Sequence, residues 1–167
     1  AKFCGKVGND SFGHFLERKL QQAGVDTTML VKGKEPTTIA FVSRIAGGER
    51  DFIFNRGADE TLTIEDIKWQ YLDAEIAHFG SATALLSSPF YDTYMEVMHV
   101  LKKRGAFISF DPNYREDLWK GNEFTYRERV AACVQLADFV KMSEEEFALF
   151  GHKVPKGKWF AVTKGHV

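Results

Sequence analysis

The sequence predicts an α/β fold: a mainly parallel central sheet covered by helices on both faces, with a β-hairpin standing off it. Three observations carry this. Short apolar runs at 1–5, Ile76–Gly80, Phe107–Asp111, 139–142 and Trp159–Thr163 alternate with segments whose apolar residues recur at helical spacing, and strands that alternate with helices join in parallel through crossovers. One stretch breaks the alternation. Residues 37–45 (TTIAFVSRI) and 50–55 (RDFIFN) are rich in β-branched and aromatic side chains, and Ala46-Gly47-Gly48-Glu49 between them supplies turn glycines, the pattern of a hairpin. Finally, the run Phe107-Ile108-Ser109-Phe110 stops at Asp111-Pro112-Asn113-Tyr114-Arg115. A buried strand thus delivers polar groups at its C-terminal end, the edge where open α/β sheets bind ligands. The plainer reading of that stretch is a tight turn, with Asp111 as a cap and Arg115 paired locally.

The elements follow in order. After the first strand, Asp10 or Ser11 caps a helix in which Phe12, Phe15, Leu16, Leu20 and Ala23 share a face until Gly24 stops it. The chain begins almost inside that first strand, so the expectation is that Ala1 is not the start of a natural domain. In the hairpin, Arg44, Arg50 and Asp51 are expected in solvent, whereas Phe41, Phe52 and Phe54 need a partner surface. Thr63 caps a short helix around 65–71, and Ser88-Pro89 opens the next helix with proline at its first position. Phe90, Tyr94, Val97, Met98 and Leu101 form the stripe of that helix, and Tyr126, Val130, Cys133, Val134 and Ala137 that of the following one. Ser143-Glu144-Glu145-Glu146 opens the last helix. Between Phe150 and Trp159 only a glycine- and lysine-rich link remains, close to the minimum for a crossover.

Composition excludes several classes. At 167 residues, 44% hydrophobic and 14% aromatic, the chain is globular and expected to form one main domain. With 22 basic against 23 acidic side chains there is no charge excess to draw a nucleic acid or a membrane surface. Cys4 and Cys133 lie far apart in apolar surroundings and read as core thiols, which suits a reducing, cytoplasmic setting. The histidines His14, His78, His99, His152 and His166 show no ligand spacing.

Taken together, these stretches resemble the PfkB-type, ribokinase-like carbohydrate kinases, and are most similar to bacterial fructokinases. The resemblance rests on an ordered series. Gly5-Lys6-Val7-Gly8-Asn9-Asp10-Ser11-Phe12-Gly13 and Gly24-Val25-Asp26-Thr27 are followed by the lid hairpin from Pro36-Thr37-Thr38 to Gly48-Glu49-Arg50, and by Phe54-Asn55-Arg56-Gly57-Ala58-Asp59. His78-Phe79-Gly80-Ser81, Phe110 to Arg115 with Leu118-Trp119, and Val140-Lys141-Met142-Ser143-Glu144-Glu145-Glu146 complete it. The resemblance implies a three-layer, ribokinase-like kinase domain spanning 1–167, incomplete, with its lid at about 37–56. The family's glycine-rich N-terminal segment and the D-T-x-G-A-G-D signature that carries its general-base aspartate do not occur between Ala1 and Val167, so the catalytic aspartate is unknown here.

The implied activity is transfer of the γ-phosphate of ATP, as co-substrate, to a sugar hydroxyl, with Mg2+ spreading the charge. Fructose is the first acceptor to test, and 2-keto-3-deoxygluconate or ribose are the alternatives. On the acceptor side the resemblance assigns Phe41, Phe54, Arg56, Asn113 and Arg115, a guanidinium suiting hydroxyl or phosphate oxygens because it offers fixed donors and keeps its charge. Phe41 and Phe54 would give the sugar an apolar wall. It assigns Lys141, Ser143, Thr163 and Gly165 to the nucleotide and Glu146 to the metal. Two plainer readings stand beside these: Ser143 and Glu146 form a capping box, and Arg56 pairs with Asp59. Rival functions are a non-catalytic sugar- or nucleotide-binding domain and a dimerisation module, since the hairpin also suits a homodimer contact.

Overall fold

A computed structural model of the protein describes residues 1–44 and 50–164. The turn expected at 46–49 and Gly165 lie outside the described residues, as do the side chains of Arg44, Arg50, Asp51 and Phe52. The chain divides into two compact units, Ala1–Tyr71 with Ser87–Phe90, and Leu72–Leu86 with Tyr91–Val167.

In the first unit β1 (Lys2–Gly8) leads into α1 (Ser11–Gln22), β2 (Asp26–Gly33) and the hairpin strands β3 (Ile39–Arg44) and β4 (Arg50–Asn55). β1 corrects the sequence reading. It runs to Gly8, and its ladder is a parallel pair with β2, Gly5 opposite Leu30 and Gly8 opposite Gly33, not a place in the larger sheet. No strand was expected at β2 because Asp26 and Lys32 flank its apolar middle, yet Met29 and Leu30 are buried. Asp10 caps α1, its Oδ1 accepting the Gly13 N–H at 2.8 Å, and Gly24 ends it at φ 72°, a conformation that suits glycine. The face expected to be core, however, is the wrong one: Phe12, Phe15 and Leu16 are exposed, and only Gly13 is buried. A Cβ on Gly13 would lie 2.0 Å from the Gly8 carbonyl oxygen, so α1 approaches β1 through its glycine and leaves much of its aromatic stripe exposed. The expected hairpin is present and antiparallel, Ile39 opposite Asn55 and Phe41 opposite Ile53. Beyond it the chain makes three 3-10 turns, Ala58–Thr61, Ile64–Asp66 and Trp69–Tyr71, where one short helix was expected.

The second unit carries the parallel sheet. Its strands β5 (Ile76–Gly80), β6 (Phe107–Asp111), β7 (Phe139–Ser143) and β8 (Trp159–Thr163) lie in that order, every pair parallel. The crossovers are α2 (Phe90–Lys103), then α3 (Glu116–Trp119) with α4 (Glu123–Leu136), then α5 (Glu144–Leu149). α2 begins one residue after Pro89, not on it. Residues 144–158 do complete the last crossover: Phe139 pairs with Trp159 and Ser143 with Thr163. One parity of the strands, Phe79, Ile108, Phe110, Val140 and Met142, is buried with the predicted stripes of α2 and α4 except Phe90 and Val134, which are half-buried, Phe79 meeting Tyr94 edge-on at 5.2 Å and α5 placing Phe147 5.3 Å from Phe160. The other parity holds Ile76 (70% exposed), Phe107 and Trp159 (75%). The described helices therefore line one face of this sheet, where cover on both was expected.

Burial pushes the Cys133 thiol up to about 12 and raises that of Cys4, which makes both poor nucleophiles. Among the described residues no helix is long and apolar enough to cross a membrane.

Candidate active site

The parallel order of β5 to β8 brings Ser81, Asp111, Ser143 and Thr163 to one edge of the sheet, the C-terminal ends of its four strands. Six of the residues singled out in the sequence gather there: Asn113, Arg115, Lys141, Ser143, Glu146 and Thr163. Asp111 and Lys141 occupy neighbouring positions because Phe110 pairs with Val140, and Lys141 Nζ lies 3.0 Å from Asp111 Oδ2. The other carboxylate oxygen of Asp111 accepts the Asn113 N–H at 3.1 Å, an Asx turn. Asn113 has φ 49°, in the left-handed region that asparagine tolerates better than most residues.

The loop is held by groups on either side of it. From the end of β5, the Ser81 N–H donates to the Asp111 carbonyl at 3.1 Å and the buried Ser81 hydroxyl donates to the Pro112 carbonyl. From α5, Glu146 Oε1 accepts the Tyr114 N–H at 2.5 Å, while Oε2 accepts the Ser143 N–H at 2.7 Å. Ser143 Oγ accepts the Glu146 N–H at 3.1 Å in return, so the capping box foreseen in the sequence is present. Arg115 Nη1 donates to the Tyr114 carbonyl at 2.7 Å, and Thr163 Oγ1 reaches the Met142 carbonyl at 3.4 Å. Beneath the loop Tyr126 packs against Tyr114 at 4.8 Å, Trp119 at 5.1 Å and Phe150 at 6.3 Å. Burial, and then the nearby Glu146 carboxylate, raise the Tyr126 phenol well above its ordinary value.

A metal finds little to bind here. Glu146 is 4% exposed and both its oxygens accept backbone N–H groups, whereas magnesium demands octahedral oxygen ligands and keeps several waters. No group of three or more His, Cys, Asp or Glu among the described residues is placed to hold an ion. The described residues do not fit a direct magnesium site.

The remaining candidates lie in the first unit, at the root of the hairpin. Arg56 pairs with Asp59: Nε lies 3.2 Å from Oδ2, and Nη2, buried and 3.0 Å from Oδ2, is not aligned to donate a hydrogen bond. Thr38 donates its hydroxyl to Asp59 and accepts the Gly57 N–H at 2.8 Å. Next to Thr38, Thr37 gives its N–H to Asp10 Oδ2 and its hydroxyl to Oδ1, both at 2.7 Å, and accepts the Gly8 N–H at 3.0 Å. The Gly13 amide first, then the amide and hydroxyl of Thr37, hold the Asp10 carboxyl down at about 2. Farther out, the register contradicts one expectation. Phe41 faces Ile53 and Phe54 faces Ala40, so Phe41 and Phe54 project from opposite faces and do not build one wall, because side chains alternate along a strand.

Sequence reasoning missed Ser81, Thr37 and Thr38 as organising groups, and missed the Asp111–Lys141 pair. Only the small-residue exit Gly80-Ser81 and the Thr37-Thr38 doublet at a strand start gave any signal.

Comparison with known proteins places the arrangement. The family model described as pfkB family carbohydrate kinase matches residues 1–163. The chain belongs to that family. Fructokinase-1 of Zea mays is 37% identical over 150 residues, 87% of this chain and 46% of the maize protein. The structure of a sugar kinase from Pyrococcus horikoshii superposes with a TM-score of 0.88 at 35% identity, covering 99% of this chain and 55% of that one. A fructokinase of Vibrio cholerae, solved with fructose, ADP and a calcium ion, superposes with a TM-score of 0.77 at 33% identity over 90% of this chain and 49% of that one. The chain thus spans about half the length of the relatives it matches. As a pfkB-family chain it has the mixed α/β fold with a parallel four-stranded sheet that its ribokinase-like neighbours share.

Proposed function

We propose that this chain forms part of an ATP-dependent sugar kinase that transfers the γ-phosphoryl group of ATP to a hydroxyl of fructose. The observation that carries the reading is the convergence of the 111–115 loop, the Ser143 cap and Thr163 on one edge of a parallel sheet, in a family whose relatives include fructokinases. Ligands of open α/β sheets bind at that edge. Phosphoryl transfer asks little covalent chemistry of a protein and depends on positioning and on charge placed where it develops. In this reading Asn113 and Arg115 orient the acceptor, and Arg56 and one lid aromatic, Phe41 or Phe54, serve it as well, since the two aromatics project from opposite faces of the hairpin. Lys141, Ser143, Thr163 and Gly165 serve the nucleotide, and Asp111 holds Lys141 in place. Magnesium enters as the ion that accompanies ATP, without a direct ligand among the described residues. We propose the whole of 1–167 as one kinase-domain portion, cytoplasmic, with the hairpin as a lid that pairs with a second copy.

The test is ADP release by the protein expressed from its complete coding sequence, with fructose, ribose and 2-keto-3-deoxygluconate compared. We expect kcat/KM to be highest for fructose. Saturable sugar or nucleotide binding without ADP release would instead make this a binding domain, and equal turnover of all three acceptors would remove fructose as the preferred acceptor.

A further inference from the structure

The kinase reading assigns Glu146 to a metal, but its contacts describe a different task. Its carboxylate is buried, and its two oxygens are divided between two backbone amides of different segments: Ser143 at the start of α5 and Tyr114 in the loop after β6. A buried carboxylate that is fully hydrogen-bonded is tolerated, whereas an unpartnered one is costly. A capping box by itself needs only one of these contacts. The second reaches 32 residues back along the chain. It completes a series in which Ser81 fixes the Asp111 and Pro112 carbonyls and Glu146 fixes the Tyr114 amide. Arg115 then starts from the peptide so fixed, its guanidinium donating to the Tyr114 carbonyl.

We propose that Glu146 is a positioning residue: through the Tyr114 amide it sets the loop that carries Asn113 and Arg115, and through the Ser143 amide it ties that loop to the strand end that serves the nucleotide. This deepens the kinase reading and rests on it for the roles of Asn113 and Arg115. The geometry itself does not depend on that reading.

Glu146→Gln separates the two contacts. Glutamine has one acceptor oxygen and still closes a capping box, but its NH2 would then face the Tyr114 N–H, donor against donor. We expect the Tyr114 amide to exchange with solvent at least tenfold faster in this variant, with the α5 amides unchanged. Ser143→Ala removes the hydroxyl cap yet keeps both Glu146 acceptors, so Tyr114 should stay protected. In kinetics Glu146→Gln should raise the sugar KM about tenfold, equivalent to about 1.4 kcal/mol, while the magnesium concentration for half-maximal rate moves less than about twofold, a change too small to signal a lost metal ligand. Unchanged Tyr114 exchange, or a raised magnesium requirement with an unaltered sugar KM, would overturn the proposal. Should Glu146→Gln fail to fold, native-state exchange of the unaltered protein decides: Tyr114 and Ser143 should open together, and a Tyr114 amide as fast as an unprotected loop refutes the link. These exchange results stand even if the protein phosphorylates no sugar, so the two readings fail separately.

Discussion

Arg115 has the plainest chemistry to test, because the bland alternative for it, a local pairing, is partly realised: Nη1 donates to the carbonyl of Tyr114. A fork that serves an acceptor presents several fixed donors in one plane, which a lysine cannot reproduce. Arg115→Lys keeps the charge and loses the fork. We expect kcat/KM for the sugar to fall about tenfold or more, about 1.4 kcal/mol of transition-state binding, with the melting temperature little changed; a lowered melting temperature with intact sugar kinetics would leave Arg115 a structural residue. At Asp10 both carboxylate oxygens are taken up by Gly13 and Thr37. Its folded carboxyl titrates near 2, below the ordinary 3.8, so the stability it confers is complete above about 3.8 and is lost as pH falls through about 2. Asparagine caps a helix as well as aspartate does, but it has one acceptor oxygen for three donors. Asp10→Asn should therefore lower the urea midpoint at pH 7, and the gap to the unaltered protein should close between pH 3.8 and 2. A gap independent of pH would show that the charge of Asp10 is not what matters.

At the scale of elements, the root of the hairpin is a place where backbone packs closely on backbone. The Ala58 N–H donates to the Pro36 carbonyl at 2.8 Å, and a Cβ on Gly57 would lie 2.0 Å from that same oxygen. Gly57→Ala must spread the two arms of the lid at their base. We expect a cost of about 1–3 kcal/mol, typical of overpacking, read as a lower urea midpoint, together with a weaker sugar KM; an unchanged midpoint would mean the arms are free to part. The sequence announced the hairpin but not this contact, since Pro36 and Gly57 become neighbours only once the strands pair. The same distinction runs through the molecule. The strands β5 to β8 were legible as apolar runs, and the Ser143–Glu146 box as a local motif, because both are properties of contiguous residues. Asp111 beside Lys141, Ser81 on Pro112 and Tyr114 on Glu146 depend on strand order and register, which one sequence does not state. β2 escaped notice because charged ends masked its apolar centre, and α1 misled because its helical period was real but its buried contact was a glycine.

At the scale of the whole molecule, the open question is what meets the hairpin. Phe41 and Ile53 stand opposite each other on one face, 58% and 65% exposed, and Val42 is exposed on the other. Hydrophobic strand faces and edges left in solvent invite association, and a two-fold pairing uses the same patch twice, so each substitution is felt twice in a dimer. Fully burying a side chain of this size is worth about 1.5–3 kcal/mol, and an aspartate in its place would bring an unpaired carboxylate into the contact. Ile53→Asp should therefore weaken self-association at least a hundredfold in sedimentation, about 2.7 kcal/mol from two copies of the substitution, while the melting temperature of the separated chain stays within a few degrees because the position is already in solvent. The sugar KM should rise with dilution of the unaltered protein and be independent of concentration in the variant. A protein that sediments as a monomer at every concentration, or an Ile53→Asp variant that associates as before, would mean that the lid face serves its own chain and that the sugar is enclosed without a second copy.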